Sequence, residues 1–304
     1  MTSFQAIVEG IKALKIQGAS NIAKGAAKAL DIIASDYKDR NKPDLIHVLN
    51  EAKKILVKTR PTEPAMRNVL NYILFDIEIE KDVVDAVKQR VKKANEHFDE
   101  SSEKIALIGE KKILNKGIVF THCHSSTVVA VLKKAKEKGK NFVVHNTETR
   151  PLFQGRITAR ELSRVGIPVV HYIDSAARLA LKKADLMLLG ADAITSEGKV
   201  INKIGSELFA EVADRYGVPV YICTDSWKFD PRSIFGYEEE IEQRTGEEIW
   251  PVAPKGVKID NHAFEKIDPD LVSGIVSELG VLRHDQFIRE VEKTYRFMFE
   301  KEKI

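Results

Sequence analysis

Apolar residues recur at helical spacing through the first third of the chain, then give way to short continuous runs. Residues 4–14 and 20–35 carry apolar side chains three and four apart, broken at Gln17-Gly18-Ala19. Residues 42–58 and 64–79 continue the pattern around the turn Thr59-Arg60-Pro61-Thr62-Glu63. A long charged helix is predicted over 81–112, with Val83, Val84, Val87, Val91, Ala94 and Phe98 along one stripe. No convincing β run precedes residue 113. Beyond it, apolar runs at 118–120, 142–145, 168–173, 186–189 and 219–223 alternate with helical segments.

Near-continuous apolar runs suit strands buried on both faces of a parallel sheet. The expected fold class is therefore α/β: an N-terminal helical domain over 1–112, then a Rossmann-like, doubly wound parallel-sheet domain over 113–304. In such sheets ligands gather outside the carboxyl ends of the strands. Polar clusters stand at those places: His122-Cys123-His124, Thr147-Glu148-Thr149-Arg150, Asp174-Ser175, Gly190-Ala191-Asp192 and Thr224-Asp225-Ser226. The tail from Asp260 reads as a short cap followed by a final charged helix over 285–303.

Composition narrows the partners. With 48 basic and 45 acidic residues interspersed, the net charge of +3 gives no basic footprint for nucleic acid. No stretch reads as a signal peptide or a bilayer-spanning run. Two distant cysteines, Cys123 and Cys223, point to a reduced, cytoplasmic protein.

The strongest chemical signal is Thr121-His122-Cys123-His124-Ser125-Ser126, between a strand and a helix. A thiol there sits near free N–H groups and the positive end of the helix dipole. With imidazoles on both sides, its pKa is expected to fall and the thiolate to be favoured. A zinc site is disfavoured by the absence of a CxxC pair, and hydrogen-bonding the loop is an equally good role for His122 and His124. Asp192 stands at the mouth of an apolar strand, where partial desolvation is expected to raise its pKa toward an acid/base range; a helix N-cap is the alternative. Asn202-Lys203-Ile204-Gly205-Ser206 precedes a helix and suggests an anion cradle, with Gly18-Ala19-Ser20 a weaker case. Arg60 and Arg150 each precede a proline, and with Lys203 and Lys228 they suggest a substrate with more than one phosphate. GxGxxG, GxxxxGK[ST] and GxSxG patterns are absent, which leaves a cofactor-free reaction on a sugar phosphate.

Taken together, Thr121–Ser125, Thr147–Pro151 with Gln154-Gly155, Gly190–Asp192, Asn202–Gly205 and Thr224–Phe229 resemble the superfamily of initiation factor 2B regulatory subunits and sugar-1-phosphate isomerases. Within it the nearer likeness is to archaeal ribose-1,5-bisphosphate isomerases. The resemblance implies catalysis by Cys123 and Asp192. It also implies substrate contacts from Gly18, Ala19, Arg60, Ser125, Arg150, Gln154, Asn202, Lys203 and Lys228. It implies a sugar bisphosphate substrate, no cofactor and no metal, AMP or another nucleotide as an effector, and a homodimer or a hexamer of dimers. Gln17 departs from the isomerases, which usually carry Arg before Gly-Ala, and the segment after Leu282 lacks their proline. A non-catalytic regulatory subunit and a methylthioribose-1-phosphate isomerase stay open as alternatives.

Overall fold

The computed structural model describes residues 3–37, 41–239 and 241–299. Five helices come first: α1 (Phe4–Lys12), α2 (Ala19–Asp36), α3 (Lys42–Thr59), α4 (Pro64–Leu74) and α5 (Val83–Gly109). Local chemistry sets their ends. Ser3 caps α1 by accepting from the Ala6 N–H, and Asp82 caps α5 by accepting from Asp85. Asp76 adopts a left-handed conformation just beyond α4, so the helix expected to reach 79 stops at Leu74 and a short 3-10 turn follows. α2 buries Ala23, Ala26, Ala27 and Leu30 against α4 and α5, small side chains that let the axes approach closely. α5 buries Val83, Ala86, Val87, Val91, Ala94 and Phe98, close to the stripe expected for it. Among the described residues no helix is long and apolar enough to cross a membrane.

The second part alternates strands and helices: β1 (Ile118–Thr121), α6 (Ser126–Glu137), β2 (Val143–Thr147), α7 (Gln154–Arg164), β3 (Val169–Tyr172), α8 (Ala177–Leu181) and β4 (Leu186–Leu189). There follow β5 (Ala193–Ile194), β6 (Val200–Lys203), α9 (Ser206–Arg215), β7 (Val220–Cys223), β8 (Phe264–Ile267), β9 (Gly274–Ser277), β10 (Gly280–Leu282) and α10 (His284–Thr294). The main sheet has the order β10-β9-β7-β4-β1-β2-β3, parallel except for β10. The chain winds outward from β1 through β2 and β3, then returns to β4 on the other side of β1. The reversal opens a crevice at the carboxyl ends of β1 and β4. A second, antiparallel sheet of β5, β6 and β8 flanks it, with the turn at 195–199 joining its first two strands.

The tail departs from expectation. In place of a short cap, β8, β9 and β10 form, two of them completing the edge of the main sheet. α10 ends at Thr294 and a 3-10 turn covers Arg296–Met298; residues 300–303 of the expected helix lie outside the described residues.

The helical part is tied to the sheet through the segment after β7. Asn68 on α4 donates to the carbonyls of Trp227 (2.7 Å) and Phe229 (2.8 Å). The His97 ring on α5 stacks on Trp227 with centroids 4.2 Å apart, and its Nε2 lies 3.2 Å from the Asp225 carboxylate. Glu278 joins this cluster by accepting from the Ser226 N–H and from Tyr295 Oη. Burial works against a charged imidazole here, but the Asp225 charge and hydrogen bond outweigh it and raise the His97 pKa above its ordinary 6.5. Burial likewise opposes the Asp225 carboxylate, and His97 holds its pKa below 3.8.

The pair therefore contributes fully between those two ordinary values, and its contribution is lost as pH rises through the raised His97 pKa. Replacing His97 by Ala leaves a buried carboxylate unpaired and is expected to cost about 3–5 kcal/mol. Thermal melts across pH check this: the gap between wild type and His97→Ala should be widest between pH 3.8 and 6.5 and narrow as pH rises through the raised His97 pKa.

Candidate active site

Where the strand order reverses, a cavity of about 340 Å³ lies between the sheet and the helical part. Two helix N-termini face it. At α2, Gly18 takes φ +83°, a conformation suited to glycine, and no side chain caps the helix. Gly18, Ala19, Ser20 and Asn21 line the wall there. At α6, Cys123, His124, Ser125 and Ser126 do the same, with Ser125 Oγ accepting from the Val128 N–H. Neither first turn carries an acidic residue, so both present the partial positive charge that favours an anion.

Two strand ends bring a thiol and a carboxyl to the cavity. Cys123 follows β1 at φ +65°; its N–H donates to Thr149 Oγ1 at 3.0 Å and its carbonyl accepts from Thr158 Oγ1 at 2.8 Å. Asp192 follows β4, its N–H bonded to the Ile201 carbonyl at 2.8 Å. Gly190 is required between them, because a Cβ there would lie 2.7 Å from Ser125 Oγ.

Cations and amides complete the lining. Lys228 Nζ donates to the Ala191 carbonyl at 2.6 Å. Lys203 Nζ lies 4.4 Å from the centre of the Phe264 ring. Arg60 Nη2 pairs with Glu63 Oε1 at 3.1 Å and reaches Glu242 Oε2 at 3.4 Å. Gln154 and Asn202 also border the cavity, and Asn202 Nδ2 donates to Ser206 Oγ.

Most of the residues expected at a site are thus brought together, but two expectations fail. Arg150 is not on the cavity wall. It is exposed, its guanidinium lies over the Phe153 ring and donates to the Ile249 carbonyl at 3.4 Å, and its N–H donates to Asp174 Oδ2. The cradle expected at Gly205-Ser206 is closed from within. Ser206 Oγ donates to the Lys203 carbonyl, and Glu265 Oε1 accepts from the Glu207 N–H at 2.7 Å. Conversely, Glu63, Arg244 and Phe264 line the cavity without standing out in the sequence. For Glu63 the available signal is its place three residues after Arg60. For Arg244 no local pattern marks the position.

The charge state of the thiol also differs from expectation. Burial pushes the Cys123 pKa up to about 11, against which Lys203 acts in the lowering direction. The flanking imidazoles do not help. His122 is buried, with Nδ1 on Thr147 Oγ1 at 2.5 Å and Nε2 on the Ile204 carbonyl at 2.9 Å; burial lowers its pKa to about 4. Burial also lowers the pKa of His124, whose Nδ1 meets Thr158 Oγ1 at 3.1 Å. Both rings are neutral near pH 7, so the resting thiol is protonated. Burial lowers the Lys203 pKa in turn, opposed by the Cys123 charge.

Iodoacetamide should therefore alkylate Cys123 slowly near neutrality, with a rate climbing about tenfold per pH unit as the thiolate fraction rises. Cys223, fully buried and pushed to about 12, should stay unmodified while the protein is folded. Mass spectrometry of the labelled protein over a pH series checks both outcomes.

Residues 15–284 match the model of the initiation factor 2 subunit family. Ribose 1,5-bisphosphate isomerase of Pyrococcus furiosus is 37% identical over 292 residues, covering 91% of this chain and 89% of the relative. Methylthioribose-1-phosphate isomerase of Caldanaerobacter subterraneus is 31% identical over 304 residues, covering 92% and 88%. The solved structure of Pyrococcus horikoshii translation initiation factor eIF-2B superimposes with a TM-score of 0.81 at 28% identity, covering 92% of this chain and 96% of that one. The chain belongs to the initiation factor 2 subunit family.

Proposed function

We propose that this protein is a cofactor-free aldose–ketose isomerase converting α-D-ribose 1,5-bisphosphate to D-ribulose 1,5-bisphosphate. One observation carries the reading: a thiol and a carboxyl, Cys123 and Asp192, border a cavity that two helix N-termini without acidic first-turn residues and several cations also line. Two N-termini with Arg60, Lys203, Lys228 and Arg244 suit two phosphates better than one phosphate and an apolar tail, which favours the bisphosphate over a methylthioribose substrate. In this reading the helical part over 1–112 brings Arg60 and the α2 N-terminus, and the part over 113–304 brings the reacting groups. Gln17 borders the same cavity and donates to the Leu14 carbonyl at 2.5 Å, so it adds no charge; Arg244 supplies a guanidinium instead.

Phosphate on the anomeric carbon blocks spontaneous ring opening, so the ring oxygen must be protonated. Cys123 first loses its proton to solvent; Asp192 then gives its proton to that oxygen as the bond from C1 breaks, and the thiolate takes the proton from C2. An enol phosphate results. Its hydroxyl proton returns to Asp192 as the ketone forms at C2, and Cys123 delivers its proton to C1. Every proton is restored. Lys203 is the cation that favours the thiolate when it forms. General acid–base catalysis of this kind supplies roughly two to four decades in rate, and phosphate positioning much of the rest.

A homodimer, or a hexamer of dimers, is part of the proposal. Phe235, Tyr237, Trp250 and Val252 expose large apolar side chains within one stretch of chain and suit a protein partner. So is a cytoplasmic setting, in keeping with two free thiols.

The test is turnover of α-D-ribose 1,5-bisphosphate, following ribulose 1,5-bisphosphate. Cys123→Ser and Asp192→Asn should each lower kcat by roughly two decades or more while the bisphosphate still binds by calorimetry. Binding without turnover by folded wild type would favour a regulatory subunit, and undiminished turnover in both variants would overturn the mechanism.

A further inference from the structure

Glu242 sits in a short antiparallel bridge before β8, where Gln243 pairs with His262. Its carbonyl accepts from the Ala263 N–H at 2.9 Å, and the Arg244 N–H donates to the Asn261 carbonyl at 2.9 Å. In extended chain alternate residues share a face, so Glu242 and Arg244 project from the same side. Glu242 engages a different arginine with each oxygen. Oε1 accepts from Arg244 Nε at 3.0 Å, and Oε2 lies 3.4 Å from Arg60 Nη2. Arg60 follows α3 in the helical part, so one carboxylate joins two arginines from distant parts of the chain.

Both arginines line the cavity, and each side chain is only 11% exposed. Two buried guanidiniums side by side repel, and the negative charge between them offsets that cost. The bridge still leaves donors unspent. It takes only Nε of Arg244, so the two Nη groups, a fork suited to a phosphate, stay outside the contact. Arg60 Nε is buried with no hydrogen-bond partner, although Nη2 meets both Glu63 and Glu242. Arg244 also acts on Lys203: burial leads in lowering the Lys203 pKa, and the Arg244 charge works in the same direction.

We propose that Glu242 is a positioning residue that aims Arg60 and Arg244 at a single phosphate of the substrate, with Arg244 a specificity-determining contact to it. This rests on the isomerase reading of the site. The two oxygens of a carboxylate share one carbon, so guanidiniums bound to each are close neighbours and converge on one anion rather than on two. The other phosphate is left to a helix N-terminus. Held in advance, the two forks meet their phosphate without losing side-chain freedom on binding. The sign of the effect separates this role from plain charge. A carboxylate in an anion pocket repels the ligand, so removing its charge would by itself tighten binding.

Glu242→Gln should instead weaken binding of α-D-ribose 1,5-bisphosphate by about tenfold in calorimetry, the scale of one charge-assisted hydrogen bond. Arg244→Met should weaken it about as much. Because Glu242 acts partly through Arg244, the double variant should fall well short of the roughly hundredfold loss that independent effects multiply to. Arg244→Lys keeps the charge without the fork and leaves Glu242 in place; it should weaken binding nearly as far as Arg244→Met. Inorganic phosphate, titrated against the same proteins, reads the clamp without the sugar and should weaken in the same order. Tighter binding in Glu242→Gln, losses that multiply in the double variant, or full affinity in Arg244→Lys would overturn the proposal. So would a folded Glu242→Gln with a lowered melting temperature and unchanged affinity, which would mean a structural role only, or a wild type that binds neither probe. If Glu242→Gln weakens phosphate binding but wild type turns over no bisphosphate, the isomerase reading fails while the clamp stands.

Discussion

The active cavity exists because the segment after β7 is gripped from both sides. Thr224 to Asp230 leaves the main sheet and runs against α4 and α5, where Asn68 holds two of its carbonyls, His97 its first carboxylate and Arg67 its last. Trp227 fills the space between, with Tyr72, His97 and Phe98 around its ring. Buried polar groups left unpaired are costly, so this segment and the two helices are specified together rather than separately. The grip also determines what reaches the site. It leaves Lys228 facing one way, toward Ala191, and sets α4 so that Arg60 and Glu63 stand opposite Asp192.

The electrostatics of the cavity follow from that enclosure. Burial disfavours the charged form of the Cys123 thiol, the Lys203 amine, the Glu63 carboxyl and the neighbouring His122 ring alike. A site of this kind holds its charges weakly at rest, and an entering anion changes the balance for several groups at once. Lys203, Lys228 and the two helix N-termini line the cavity together, so added negative charge is met from several sides at once.

Much of this is legible in the residue order, for reasons that can be named. Four of the five apolar runs become β1, β2, β4 and β7, inner strands that tolerate little else, and the fifth becomes β3, an edge strand with Val170 and His171 exposed. Cys123 and Asp192 stand out because a loop at the carboxyl end of such a strand is where a doubly wound sheet opens. β8, β9 and β10 escape because none carries a long apolar run: β8 reads Phe264-Glu265-Lys266-Ile267, and β9 and β10 each set two apolar side chains beside a glycine. The charge of the thiol is not legible, because adjacency in sequence says nothing of where an imidazole points. His122 turns to Thr147 and Ile204, and His124 to Thr158. Glu63 and Arg244 depend wholly on how distant segments dock, and a single residue in a loop carries no mark of that.

Lys228 divides its donors between two tasks. An ammonium has three N–H groups that radiate from one atom, and one of them is committed to the carbonyl of Ala191, the residue before Asp192. The remaining two can meet an oxyanion without releasing the backbone that carries Asp192. A guanidinium offers more donors but holds them all in one plane, so once one is bonded to a carbonyl the others reach only an oxyanion lying near that plane. At this position, then, the valence of the cation matters less than its shape, and lysine and arginine are not exchangeable.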